Sequence, residues 1–176
     1  MAVQQDRHSV ANYPDMDPSV HAVSRALERT LQAIIDEYER LQVPLPARRY
    51  WTTGQPVFDC DQVVVAFIGY AIGAVGSPEG GPVRCQDGVP RTMSLEISIV
   101  RPAAMPGSGG QAPSPASIQK HAEWQAIDAH ILLEALPAID VDEYGTPGLG
   151  VFGQVATPSP EGGYAATVLS LSLGLV

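Results

Sequence analysis

Apolar residues recur at steps of three and four in the first third of the chain, at Val20, Val23, Leu27, Leu31, Ile34, Tyr38 and Leu41, which lays one stripe along a helix. Asp17-Pro18 opens that helix as a cap followed by proline at the first helical position, where the missing N–H costs nothing. Pro44 closes it by disfavouring α geometry at the residue ahead. Glu28, Asp36, Glu37 and Glu39, with Arg25, Arg29 and Arg40 among them, fall mostly off the stripe and read as a solvated face. Beyond the stiff Pro44-Leu45-Pro46 linker, Arg48 to Thr53 have the aromatic and β-branched content of a short strand, ended by Gly54. The run Val63-Val64-Val65-Ala66-Phe67-Ile68 is too short for a helix and is bounded by an Asp/Gln cluster and Gly69. It predicts a central strand buried on both faces.

Downstream the period changes. Met93, Leu95, Ile97 and Ile99 alternate with Ser94, Glu96 and Ser98, the pattern of a half-buried strand. A second helix is capped by Ser114-Pro115, shows an apolar face of Ile118, Ala122, Ile127, Ile131, Leu132 and Leu136, and is expected to stop at Pro137. A glycine-diluted strand over Val151–Val155 and a final strand with Leu169, Leu171, Leu173 and Leu175 on one face complete the order. Strands in runs with a helix between them predict an α+β domain: a mostly antiparallel sheet of four to five strands, two flanking helices and long Gly/Pro-rich loops. Residues 1–16 have no periodicity and read as a flexible arm, leaving 17–176 as one domain.

The loops are long for a reason that composition leaves open. Gly69 to Arg91 far exceeds an ordinary connection; it reads as an arm reaching a neighbouring subunit, through Gly76, Pro78, Glu79 and Arg84, rather than a mobile flap. Only 16% of residues are charged, and 17 glycines and 16 prolines dilute the rest, so the surface suits cover by further copies. The net charge of -9, with a single lysine at Lys120, argues against a protein that grips phosphates. An acidic surface would instead let nucleic acid slide past. No run approaches the length of a membrane span and the first residues carry no signal-peptide pattern, so a cytosolic protein is expected.

Candidate chemistry is sparse. Asp59 and Asp61 flank Cys60, and in an extended segment they would share a face as an acid-base pair or a cation site. With Gln62 they read instead as a structural or interface motif, their carboxylates bonding backbone groups of the turn or of a neighbour. Cys60 and Cys85 are too few for a disulfide framework, lack metal-ligand spacing and read as small core residues. His121, Glu123, Asp128, His130 and Glu134 read as a solvated or subunit-facing polar stripe, because the zinc-protease spacing is missing. The glycine-rich pieces lack the ending of a phosphate loop. No cofactor or metal is expected, and no motif supports catalysis; a small hydrolase using Asp59, Cys60 or Asp61 is the competing class.

Gly54 through Gln62 leading into a valine-rich strand, Val100-Arg101-Pro102 ending another, Pro113-Ser114-Pro115-Ala116-Ser117 opening a helix that carries Asp128-Ala129, and Pro160-Glu161-Gly162-Gly163 before the last strand together resemble neck proteins of long-tailed actinobacterial phages. Within that group the chain is similar to the tail terminators, over about residues 48 to 176. The resemblance implies a homo-oligomeric ring, usually a hexamer, that caps the tail tube, ends its polymerisation and docks the head-side connector. It implies partners in the tube protein and the connector or stopper, DNA that passes without specific binding, no membrane, and a place in the virion neck after assembly in the host cytoplasm. A head-completion or stopper protein of the same neck is the alternative. Asp140, Asp142, Glu143 and Glu161, all in loops, are candidates for lumen or interface acids.

Overall fold

The computed structural model describes residues 18–54, 56–72, 91–104, 106, 112–139, 151–158 and 163–175. The arm at 1–16, Gly76, Pro78, Glu79, Arg84, Cys85, and the acids Asp140, Asp142, Glu143 and Glu161 lie outside them. The order is α1 (Pro18–Arg40), β1 (Arg48–Thr52), β2 (Gln62–Ile72), β3 (Arg91–Pro102), α2 (Pro115–Ile139), β4 (Val151–Ala156) and β5 (Tyr164–Leu175). The five strands form one sheet in the order β1-β2-β3-β5-β4, with β1 parallel to β2 and every other pairing antiparallel. It is a small α+β domain, as the alternation of strand runs and helices predicts.

The stripe on α1 is the one the spacing predicts, with Val23, Leu27, Ile34 and Tyr38 buried and Leu31 and Leu41 partly so. Glu37 departs from the solvated face expected for it. It lies at the edge of the buried stripe, 9% exposed, because Arg40 one turn on folds over its carboxylate and ion-pairs with it. The helix ends before Pro44, in a left-handed turn: Gln42 has φ 55°, its N–H bonds the Glu39 carbonyl at 3.1 Å, and the Val43 N–H reaches the Tyr38 carbonyl at 3.0 Å. This is a Schellman closure with glutamine where glycine is usual.

The valine run forms β2, whose Val63, Val64, Val65 and Ala66 are all buried. It is an interior strand but not the middle one. That place belongs to β3, which pairs along its length with both β2 and β5. An apolar run on both parities marks a strand covered on both faces and does not rank its place in the sheet. Midway along, β2 slips register between Phe67 and Gly69, leaving Ile68 56% exposed. Met93, Leu95, Ile97 and Ile99 of β3 and Leu169, Leu171 and Leu173 of β5 share the core with both helices. Across from the leucines, Gly153 of the edge strand β4 is approached so closely that an added Cβ would meet Leu171 Cδ2 at 2.8 Å.

Ser114 caps α2 as expected, its Oγ accepting the Ser117 N–H at 3.1 Å. Two expectations for this helix are corrected. It runs through Pro137 to Ile139. Pro137 stands near the end and is exposed with Leu133, so the carbonyl it leaves unbonded faces solvent while buried Ile139 holds the last turn. The buried side is Asp128, Ile131, Leu132, Ala135 and Ile139, whereas Ile118, Ala122 and Ile127 of the anticipated apolar face are exposed.

Candidate functional site

The period-two parity of β3 does not stop at Ile99. It carries Arg101 onto the helix-facing side, where the chain would ordinarily place another apolar residue. There the guanidinium meets the carboxylate of Asp128 from α2 in a two-pronged pair, Nε donating to Oδ2 at 2.7 Å and Nη2 to Oδ1 at 2.8 Å. Tyr38 of α1 donates its hydroxyl to the same Oδ1 at 2.7 Å, and Arg101 Nη2 in turn donates to the Tyr38 oxygen at 3.3 Å. Trp124, one turn before Asp128, lies with its ring centroid 4.3 Å from the guanidinium carbon, within cation-π range. Asp61 completes the circle at 3.5 Å from Nη1. The Arg101 side chain is 11% exposed and that of Asp128 2%.

The charges hold one another. Burial by itself would lower the Arg101 pKa, but the hydrogen bonds and charge of Asp128 outweigh it and the guanidinium ends above its ordinary value. Burial, then the charge and hydrogen bond of Asp128, push the Tyr38 phenol well above 10.0, so it stays a donor. Each of the three guanidinium nitrogens, and the Tyr38 hydroxyl, donates to an acceptor at the node. The arrangement binds α1, α2, β3 and the segment before β2 to one point.

That segment behaves differently from a catalytic pair. Among the described residues each carboxylate takes a different arginine rather than turn backbone, Asp59 the Arg48 Nη1 at 2.8 Å and Asp61 the Arg101 Nη1. It is the backbone carbonyl of Asp59 that serves the fold, accepting the Tyr164 hydroxyl at 2.8 Å. Gln62 is fully buried, donating Nε2 to the Val57 carbonyl at 2.6 Å and accepting the Cys60 thiol at 3.4 Å. Burial and the neighbouring Asp59 raise the Cys60 pKa, the opposite of what an attacking thiolate needs. The anticipated polar stripe of α2 also divides. Glu123, His130 and Glu134 are exposed, with Glu134 3.9 Å from Arg40, whereas Asp128 is buried and His121 Nε2 is out of solvent with no partner among the described residues.

Among the described residues no three His, Cys, Asp or Glu side chains gather as metal ligands, and no helix is long and apolar enough to cross a membrane. The node itself escaped sequence reasoning, which placed Tyr38 among the apolar residues and Asp128 among the solvated ones. The available signal was register: Asp128 precedes Ile131 and Leu132 by three and four residues and so shares their face. The chain matches no protein-family model and no curated protein sequence.

Proposed function

We propose that the protein is a structural assembly component, a tail terminator that forms a ring at the top of a phage tail tube, ends tube growth and joins the tail to the head-side connector. The observation that carries this reading is convergence. Asp61, Arg101 and Asp128 belong to three of the separate motifs on which the resemblance rests, and they meet at one ion-pair node. Residues engaged with one another in this way keep a framework in shape. The competing hydrolase would need Asp59 and Asp61 to work together and Cys60 to ionise, and the arginine partners and the raised thiol pKa speak against both.

The weakly charged, acidic chain supports the same reading, since ring and tube contacts need little charge and passing DNA must not adhere. The test is mass and morphology of the purified chain, alone and mixed with tail-tube protein. Rings that cap tubes at fixed length are the expected result. A chain that never joins or terminates tubes, while binding the portal side, would replace the terminator with a head-completion connector; one that joins neither overturns the proposal.

A further inference from the structure

α2 is apolar on two sides. One side is buried against the sheet and α1 through Asp128, Ile131, Leu132, Ala135 and Ile139. Turning along the helix by 100° per residue brings Ile118, Ala122, Ala126, Ala129 and Leu133 onto a second stripe, which faces outward: Ile118 and Leu133 are each 51% exposed, Ala122 and Ala126 are exposed and Ala129 half-buried. The stripe lies between the buried side and a polar face of Gln119, Glu123, His130 and Glu134, and an exposed apolar strip that runs along a helix in this way is the kind that another element covers. Ile127, also exposed, lies opposite and takes no part.

The stripe has an internal symmetry. Ile118 and Leu133, and then Ala122 and Ala129, stand at equal distances on either side of the midpoint between Gln125 and Ala126. The pattern therefore reads the same from either end, with large residues outside and alanines in the middle. We propose that this face is a self-docking surface, on which a second copy of the chain lays its own α2 antiparallel across a two-fold axis near Gln125 and Ala126. Ile118 of one copy then meets the partner's Leu133, Ala122 meets the partner's Ala129, and the central alanines let the helix axes come within about 8 Å.

The polar flank complements itself in the same arrangement. Across an antiparallel pair a given flank faces its own counterpart, so Glu123, which the Gln119 amide already holds at 3.0 Å, comes opposite the partner's His130. Carboxylate meets imidazole twice, once on each side of the axis. The contact is isologous and so separate from the head-to-tail contacts that close a ring. It stands or falls without the terminator reading.

The experiment measures the mass of the full-length chain from about 1 µM to about 200 µM, a range that catches weak dimers. The expected product is twice 18.6 kDa, or a doubled ring if rings form. Leu133→Glu should weaken the association by about tenfold or more, with thermal unfolding of the monomer at the dilute end of the range unchanged because Leu133 is outside the core. In a Cys60→Ser, Cys85→Ser background, Ala126→Cys should oxidise rapidly to a 126–126 disulfide, and Lys120→Cys, on another side of α2, should not. A chain monomeric at the highest concentration overturns the proposal, as does association that survives Leu133→Glu. Disulfide formation no faster at 126 than at 120 overturns the two-fold arrangement. Loss of tube capping in a Leu133→Glu chain that is monomeric throughout assigns the face to the tube instead.

Discussion

Asp128 sits almost wholly out of water with its carboxylate shared between Arg101 and Tyr38. Deleting it strands a buried guanidinium, and Asp128→Ala is expected to cost about 3–5 kcal/mol in urea unfolding. Arg101→Met combined with Asp128→Leu should recover most of that loss, since an apolar pair avoids the desolvation that the ions undergo. A double variant as unstable as Asp128→Ala would show that the node supplies more than paired charge. Tyr38 gives a signature at alkaline pH. Its folded pKa is raised above the unfolded 10.0, so its contribution is complete below pH 10 and is lost above it, as the unfolded phenol ionises while the folded one stays protonated. Stability measured between about pH 9 and 11 should fall more steeply for the native chain than for Tyr38→Phe. These roles were half legible in the sequence. Parity along β3 and register along α2 point both charges inward, but nothing in one sequence says that two inward charges from elements 27 residues apart will meet.

At the scale of elements, pattern located the helices and strands well because each has a single dominant period, and it failed where local rules competed. Pro137 reads as a stop, yet a proline so near a helix end sacrifices only one solvent-facing hydrogen bond. The two apolar faces of α2 cannot be ranked from the sequence, since burial is decided by which side the sheet occupies. The end of α1 is another such place. Gln42 holds a left-handed conformation that costs an L-residue about 1–2 kcal/mol, and the Schellman bonds around it keep it there. Gln42→Gly should relieve that strain, less the greater entropy of glycine in the unfolded chain, and raise stability by about 0.5–1 kcal/mol with a higher melting temperature. A lower melting temperature would mean that the glutamine side chain contributes more than its backbone costs.

Across the whole molecule the feature that sequence reasoning placed but misread is the stretch from Gly54 to Gln62. β1 and β2 run parallel, and such pairs usually need a crossover of about a dozen residues or more, commonly a helix. Here residues 53–61 alone return the chain from the end of β1 to the start of β2. The length suffices because β1 is short, at five residues. Alternation along β2 puts Gln62 on the side away from the core residues Val63 and Val65, so its bond to the Val57 carbonyl ties the crossover to that side of the sheet. Among the described residues β1 is otherwise an edge strand with β2 as its one strand neighbour. The Arg48–Asp59 pair contributes little to holding it, both side chains being more than half exposed, and Asp59→Ala should cost no more than about 1 kcal/mol. The buried amide of Gln62 is the stronger tie. Gln62→Leu would leave the Val57 carbonyl and the Cys60 thiol without it, a loss of about 1–3 kcal/mol. Because β3 and β5 are secured by each other, that loss should fall on the local opening of β1 and the crossover. Hydrogen exchange should therefore quicken about tenfold or more at the amides of Arg48–Thr52, with those of β3 and β5 changed far less. Equal acceleration across all three strands would show that β1 opens only when the whole sheet does.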